Sequence, residues 1–345
     1  MRCVLNPSII LAFLVVVAAT STQAESQEPN PQHPGSSQVQ MSFSRDFAGR
    51  LSGAGWGPTA FPVILPLNEQ VIRIPMVVTA AAGPQTLFLE ATLYLPAGPG
   101  PFPLLVLSHG TPRDPRLRVA QGRVRYEVQS WEFVNLGFAV VIPMRRGYGH
   151  SQGEYAELEG DCDQADFYAA GMESARDLLA TVRFMRTKPF IDHRRIILAG
   201  HSTGGFASLA LASLDLPGVL GVINFGGGRG SKSDRNCSPF SLIEACRRFG
   251  STSRVPTLWL YCENDTFFPP WLAQKMYQAY VQAGGKGNLV MLPPFGEDGH
   301  FLFTDRRGAA LWPYVINQFL AELGFARPRP VAPAVLSRGY GPRLP

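Results

Sequence analysis

The run that most constrains the fold extends from Arg195 to Gly205 and reads RIILAGHSTGG. Its apolar first half is typical of a buried strand, and the residues from Phe206 to Leu214 that follow are compatible with a helix. Between them, Gly-x-Ser-x-Gly predicts a nucleophile elbow, a sharp turn that holds Ser202 in a strained backbone conformation above a sheet edge. Gly200 and Gly204 flank the serine because a Cβ at either position would collide with neighbouring backbone. The alternative interpretation is a Gly-rich turn with an inactive serine.

A serine hydroxyl is a weak nucleophile at neutral pH, so it needs a base that takes its proton and an acid that orients the base. Behind such an elbow the chain order is serine, then Asp or Glu, then histidine. Asp265 follows the apolar run Thr257–Cys262 and is therefore expected at the carboxyl edge of the sheet. His300 lies on a Gly- and Pro-rich loop and is the one histidine of six that follows both residues. Glu263 and Asp298 remain alternatives for the acid, and we favour Asp265 because it ends the acidic turn just past the strand.

Two backbone N–H groups must also point at the oxygen that becomes negatively charged when a serine attacks a carbonyl group. One normally belongs to the residue after the serine, here Thr203, and the other to a loop after an early strand. The run 103–112 fits that loop, and because Pro112 has no N–H the donor is Gly110 or Thr111, of which we predict Thr111. Residues in and beside these motifs are candidates for binding a substrate: His109, Gly110, Tyr148, His201 and Phe267.

Eight strand-like runs alternate with helical stretches between residues 71 and 323. The first two, 71–78 and 86–95, alternate in polarity and predict an antiparallel hairpin at one edge of a sheet. The later runs are short and continuously apolar, as buried parallel strands are. The alternation predicts an α/β fold with a mostly parallel sheet and helices on both faces. The glycine-rich segment 226–256 is predicted to be a small cap or lid over the site.

Taken together, the motifs resemble those of the α/β-hydrolase superfamily, and within it the dienelactone-hydrolase-like and acyl-peptidase-like serine hydrolases. The matching pieces follow one another in the superfamily's order over residues 86–325: SHGTP at 108–112, RRGYGHSQG at 145–153, GHSTGG at 200–205, the Asp265 turn and DGH at 298–300. Dienelactone hydrolases commonly carry a cysteine nucleophile, and this chain has Ser202 there. Prolyl-oligopeptidase-type peptidases add a propeller, which the ~60 to 80 residues ahead of the core are too few to build. The loop arginines Arg145 and Arg146 are expected to pin their loop rather than to meet an acidic substrate group.

The two ends of the chain do not resemble parts of a folded domain. Residues 1–24 have a positive start, an apolar centre and small residues before a cleavage site, which predicts a signal peptide that is removed near Ala24. Residues 25–40 are polar and Pro-rich and predict a disordered linker, and residues 327–345 a disordered tail. The hydrolase domain is therefore expected within 41–326, in a protein exported to the periplasm or secreted, with no stable membrane anchor.

After removal of the leader four cysteines remain, and an oxidising compartment permits disulfides between them. Cys237 and Cys246 are nine residues apart, so we expect them to pair as the shortest loop to close. The net charge of +5 is dispersed, which gives no support for nucleic-acid binding. No cysteine or histidine cluster has zinc spacing, so we expect no metal.

These observations predict an exported serine hydrolase that cleaves a carboxylic ester or related acyl bond of a small molecule through an acyl-enzyme, with no cofactor. The alternatives are a serine aminopeptidase or acyl-peptidase with the same triad, and a non-catalytic binding protein with a hydrolase shape.

Overall fold

A central sheet of eight strands organises the protein. The computed structural model describes residues 67–81, 83–233 and 235–325. The predicted signal peptide, linker and C-terminal tail therefore lie outside the described residues. Among the helices within these ranges, none is long and apolar enough to cross a membrane.

The strands follow the order β1-β2-β4-β3-β5-β6-β7-β8 across the sheet. The pairs β1–β2 and β2–β4 are antiparallel, and all other neighbouring pairs are parallel. This confirms the mostly parallel sheet and the antiparallel hairpin at its edge. The strand bounds are β1 Asn68–Ala80, β2 Gly83–Leu95, β3 Phe102–Ser108, β4 Ala139–Pro143, β5 Ile191–His201, β6 Val219–Phe225, β7 Pro256–Cys262 and β8 Lys286–Leu292.

Helices pack on both faces of this sheet. The α-helices are α1 Leu117–Ala120, α2 Glu127–Asn135, α3 Phe167–Arg186, α4 Thr203–Ala212, α5 Pro239–Thr252, α6 Pro270–Gln282 and α7 Trp312–Glu322, and short 3₁₀ turns lie at Cys162–Gln164, Gly299–Leu302 and Arg306–Ala310. On β5, Ile196 and Leu198 pack into one apolar core with α3 to α6, whereas Ile197 and Ala199 pack into the other with α2 and α7. Because both faces of the strand are buried, its sequence is continuously apolar.

The order of the strands creates a crevice at one edge of the sheet. The chain passes from β3 to β4 on one side of β3 and then returns to β5 on the other side. Loops that leave the carboxyl ends of neighbouring parallel strands diverge at such a reversal, and ligands bind in the crevice between them. The loops after β3, β7 and β8 and the turn from β5 into α4 carry every residue predicted to take part in catalysis.

The segment 226–256 differs in part from the predicted cap. Residues 226–233 and 235–238 lie in a loop, but α5 belongs to the main helical layer, because Leu242 and Phe249 are fully buried in the core. The amphipathic pattern of this helix is satisfied by packing beside the sheet rather than above the site.

The predicted disulfide is wrong. Cys237 pairs with Cys162, whose Cα lies 4.8 Å away, and Cys246 is a buried free thiol. Cys237 lies just before the start of α5 at Pro239, and Cys246 lies about 10 Å further along the helix axis. That rise exceeds the Cα separation that a disulfide spans. The free Cys262 is buried at the end of β7.

Candidate active site

Ser202 occupies a sharp turn between the end of β5 and the start of α4. Its backbone angles are φ 57° and ψ −126°, a strained conformation for a residue with a side chain. Both flanking glycines are required by space: a Cβ on Gly200 would collide with the carbonyl group of Gly204, and one on Gly204 would collide with the carbonyl group of Ser108. The turn is thus a nucleophile elbow in geometry as well as in sequence.

Asp265 and His300 form a hydrogen-bonded pair. His300 Nδ1 lies 3.1 Å from Asp265 Oδ2, and both side chains are almost fully buried. The other carboxylate oxygen, Oδ1, accepts the N–H groups of Phe267 and Phe268 at 2.8 Å each. The ring of Phe267 stacks flat on the imidazole of His300, with centroids 3.9 Å apart. These contacts fix the orientation of both members of the pair.

The two alternative acids have different surroundings. Glu263 is exposed. Asp298 Oδ1 accepts the backbone N–H of His300 at 2.9 Å and that of Thr266 at 3.1 Å, and Oδ2 accepts the Thr266 hydroxyl. Asp298 therefore ties the loop after β8 to the loop after β7, and Asp265 is the carboxylate that contacts the imidazole.

The elbow and the histidine loop are joined through backbone contacts. Ser202 N–H donates to Phe225 O at 2.9 Å, and a ring nitrogen of His201, Nε2, lies 2.8 Å from His300 O. Within the described ranges the Ser202 hydroxyl makes no hydrogen bond, so the structure brings the serine to the same edge as the pair without bonding it to His300. Hydrogen bonds between a nucleophile and its base are often long before a substrate binds.

Thr111 and Thr203, the predicted oxyanion donors, lie side by side. Their hydroxyl oxygens are 2.7 Å apart, and Thr111 Oγ1 also lies 2.6 Å from the hydroxyl of Tyr148. Arg145 Nη2 donates to Thr203 Oγ1 at 3.2 Å. Neither backbone N–H has an acceptor within the part of the chain that the structure describes. Two free N–H groups beside the serine are the arrangement that a developing oxyanion needs.

A cavity of about 420 Å³ opens beside the serine. Ser202, Thr111 and Thr203 line it, together with the loop that follows β4 and the loop that follows β6. Of the five candidate substrate-binding residues, Phe267 lines this cavity. The other four, His109, Gly110, Tyr148 and His201, do not line it, and three of these, His109, Tyr148 and His201, are buried.

The two buried histidines support the site. His109 Nδ1 donates to Gly110 O at 2.8 Å, and Nε2 accepts the N–H of Arg145 at 3.2 Å. Burial, with the charge of Arg145, lowers the pKa of His109 to about 3. Burial, with the neighbouring His300, lowers the pKa of His201 to about 3 as well. Both imidazoles are therefore neutral at pH 7 and act as fixed hydrogen-bonding groups.

A buried ion triad lies beside the cavity, which two of its members line, and sequence reasoning identified only the third, Arg145. Glu157 pairs with both Arg145 and Arg229. Burial alone would raise the pKa of Glu157, but the two guanidinium groups hold it at about 2. Arg145 also donates to His109 O at 2.6 Å and to Ser108 Oγ at 2.9 Å, so it pins its loop as expected. No local pattern marks Glu157 or Arg229, because their partners are distant in sequence.

Comparison with known protein families gives one match in sequence. The family model of the X-Pro dipeptidyl-peptidases (S15 family) matches residues 86–225. The matched range includes the elbow serine, whereas Asp265 and His300 lie beyond it. No curated protein matches the chain in a direct sequence search.

Several solved structures are similar to this chain at low sequence identity, and those with TM-scores above 0.5 share its fold. An acylaminoacyl peptidase of Pyrococcus horikoshii has a TM-score of 0.54 and 15% identity over 79% of this chain, which spans only 44% of the peptidase. An esterase of Pyrococcus furiosus has a TM-score of 0.52 and 14% identity, and covers 78% of this chain and 96% of its own. A putative dienelactone hydrolase of Klebsiella pneumoniae covers 74% of this chain and 100% of its own, with 14% identity and a TM-score of 0.48.

Proposed function

From the α/β-hydrolase fold of this chain we propose that it is a serine hydrolase that cleaves a carboxylic ester through an acyl-enzyme. The observation that carries the proposal is the buried pair of Asp265 and His300, held at the sheet edge where the strained elbow presents Ser202. The strained turn at Ser202 and the burial of a carboxylate–imidazole pair both cost stability, so chemistry is the simplest reason for finding them at one sheet edge.

In the proposed mechanism, Ser202 Oγ attacks the carbonyl carbon and His300 takes the hydroxyl proton. Asp265 holds the imidazole in the tautomer that can accept this proton and stabilises the imidazolium that forms. The negative charge on the former carbonyl oxygen is stabilised by the N–H groups of Thr203 and Thr111. The C–O bond to the leaving alcohol breaks as His300 returns the proton to it. Water then attacks the acyl-enzyme by the same steps in reverse, which releases the acid and restores Ser202.

Peptide-bond hydrolysis is the second candidate, and the sequence match to the X-Pro dipeptidyl-peptidases favours it. We place the ester first because the esterase aligns over 96% of its own length, whereas this chain spans 44% of the acylaminoacyl peptidase. Both reactions use the same triad, and the reactivity of the leaving group separates them.

Labelling and turnover together test the proposal. A fluorophosphonate probe should label Ser202 in the parent, and Ser202→Ala should lose the label and lower turnover of short 4-nitrophenyl esters by about 10⁶-fold, the scale of triad deletions. Ser213→Ala, at the other end of the same helix, is the matched control and should keep both. Faster turnover of aminoacyl 4-nitroanilides than of esters would favour the peptidase, and unchanged activity in Ser202→Ala would refute the triad.

We also propose that the protein works outside the cytosol. The predicted leader at residues 1–24 and the Cys162–Cys237 disulfide support this, because disulfides persist mainly in oxidising compartments. Mass spectrometry of the exported protein should find a new N-terminus near Glu25, and non-reducing peptide mapping should find Cys162 joined to Cys237. An intact Met1 in the exported fraction would contradict the cleavage.

A further inference from the structure

The cavity beside Ser202 is lined by more cations than carboxylates. Arg113, Arg118 and Lys232 lie around its rim, Arg229 also lines it, and the two carboxylates are Glu157 and Glu159. We refer to Arg113, Arg118 and Lys232 as the cationic rim. An excess of one charge in a partly enclosed cleft raises the local concentration of oppositely charged substrates.

The carboxylates of the cavity are already occupied. Glu157 pairs with Arg229 and with Arg145 beneath it. The nearest cation to Glu159 is also Arg229, whose Nη1 lies 3.9 Å from its carboxylate. Arg229 Nε is buried and has no hydrogen-bond acceptor among the residues that the structure describes. Arg229 is therefore already paired with the protein's own carboxylates, and among the described residues its Nε–H has no acceptor.

The cationic rim, in contrast, forms no ion pair within 4 Å in the described ranges, and the carboxylates of Asp298 and Asp265 act on Arg113 only over a longer distance. Arg118 lies over the ring of Tyr155, 3.8 Å from its centroid, and its Nε donates to Pro115 O at 3.2 Å. Lys232 is exposed. Stacking on an aromatic face holds a guanidinium in place while its N–H edge stays free to bind an anion.

Arg113 is the rim cation that stacks on the aromatic ring beside His300. Its Cζ lies 3.5 Å from the ring centroid of Phe267, and the opposite face of that ring stacks on His300 at 3.9 Å. Arg113 Nη2 also donates to Ser231 Oγ at 2.8 Å, which joins the loop after β3 to the loop after β6. The guanidinium is thus fixed one aromatic ring away from the imidazole, and it lines the same cavity as Ser202.

We propose that this cavity selects esters that carry a carboxylate group, which the cationic rim binds, with Arg113 as the specificity-determining residue. This inference rests on the proposed ester hydrolysis and names its substrate class. A planar guanidinium binds a planar carboxylate through two parallel hydrogen bonds, so a carboxylate fits Arg113 better than a diffuse anion does. The carboxylate takes no part in bond breaking and serves to position the ester near Ser202.

Matched ester pairs test the proposal. In the first pair the charge is on the acyl side: monoanionic 4-nitrophenyl succinate is compared with its methyl ester. In the second pair the charge is on the leaving group: 3-carboxy-4-nitrophenyl acetate is compared with 4-nitrophenyl acetate. In at least one of the two pairs the parent should prefer the anionic ester by about tenfold or more in kcat/KM, the scale of one charge-assisted hydrogen bond. The preference should arise in KM and shrink as salt is added.

Substitutions then assign the preference to the rim. Arg113→Gln should remove most of it, with a much smaller loss on the neutral ester of the same pair, which depends on Arg113 only through the stack on Phe267. Arg73→Gln is the matched control, because Arg73 also stacks on an aromatic ring, that of Phe88, but lies on β1 away from the cavity. Equal turnover of anionic and neutral esters by the parent, or equal losses on both in Arg113→Gln, would overturn the inference and leave the proposed function intact.

A binding measurement keeps the inference testable if no ester is hydrolysed, the result that would count against the proposed function itself. Calorimetry should detect binding of succinate or 2-nitrobenzoate to the Ser202→Ala protein, and Arg113→Gln in that background should weaken it by about tenfold. Binding that is absent, or unchanged by Arg113→Gln, would overturn the cationic rim as a carboxylate site.

Discussion

On one side of the cavity backbone packs against backbone, and on the other side charged side chains and a disulfide join distant segments. The nucleophile side comprises residues 195–205 and 108–111, where Gly200 and Gly204 allow the turn, the helix and the neighbouring loop to touch. The wall side comprises residues 145–162 and 228–237, which are joined by the Glu157–Arg229 ion pair and by the Cys162–Cys237 disulfide, 75 residues apart in sequence.

The difference separates two tasks of one site. The nucleophile side has to hold a few atoms in one geometry, and close backbone packing does that with little freedom to vary. The wall side sets the size and charge of the cavity, and side-chain pairs can be exchanged there without moving the elbow. Substitutions on the nucleophile side should therefore change turnover, whereas substitutions on the wall side should change stability and substrate choice.

The largest effect is expected at Asp265. Asp265→Asn should lower turnover by about 10⁴-fold at neutral pH, because an amide next to His300 Nδ1 favours the wrong tautomer of the imidazole. Glu263→Gln is the matched control, since Glu263 is exposed two residues earlier and should keep its turnover. Turnover and melting temperature measured for both variants decide the matter. A severe loss in Glu263→Gln beside a mild one in Asp265→Asn would reverse the assignment of the acid.

The next effect is expected in the ion triad of the wall side. Glu157→Gln should lower the free energy of unfolding by about 3–5 kcal/mol, because it leaves Arg145 and Arg229 buried without a counter-charge. Denaturant unfolding measures this, and Glu154→Gln on the exposed part of the same loop is the control. A loss within about 0.5 kcal/mol, the range of ordinary surface substitutions, would show that water reaches the triad.

The pH dependence of the difference in unfolding free energy between the parent and Glu157→Gln gives a sharper test. The pKa of Glu157 is about 2 in the folded protein, below its ordinary value of 4.5. A carboxylate with a lowered pKa contributes stability that is fully present above the ordinary value and is lost as the pH falls toward the folded value. The gap between parent and Glu157→Gln should thus be constant above about pH 5 and shrink toward pH 2.

The nucleophile side could be predicted from sequence and the wall side could not. The elbow depends on neighbours in the chain, so GHSTGG and the apolar run before it were enough to predict the strand, the turn and the helix. The partners of Glu157 and Cys162 depend on where residues 229 and 237 come to lie, which no local pattern encodes. Cys237 pairs with Cys162 and not with the nearer Cys246 for the same reason, because the fold and not the distance along the chain decides which cysteines meet.

A smaller effect is expected from the disulfide. Cys162→Ser should lower the free energy of unfolding by about 2–4 kcal/mol, because the unfolded chain regains the freedom of a long loop. Since the bridge joins the two segments of the wall side, KM should rise more than kcat falls. A reducing agent should lower the stability and raise the KM of the parent by similar amounts, and it should have no further effect on Cys162→Ser. A parent that is unaffected by complete reduction, verified by thiol titration, would show that the ion pairs alone hold the wall.

The smallest effect is expected at Asp298, which lies outside both sides and ties the loop that carries His300 to the loop that carries Asp265. Asp298 accepts the N–H groups of His300 and Thr266 through Oδ1, and an asparagine can accept both through its amide oxygen. Asp298→Asn therefore loses only the charge of these bonds and the acceptor for the Thr266 hydroxyl, about 1 kcal/mol of stability, and turnover should fall less than tenfold.

Asp305→Asn is the control for this variant, because Asp305 makes the same type of bond to the N–H of Arg307 in an exposed turn. Its turnover should match that of the parent. If Asp298→Asn instead costs as much turnover as Asp265→Asn, the carboxylate of Asp298 acts on His300 through more than loop position. In that case the double variant should be no worse than either single one, since both would remove the same orientation of the imidazole.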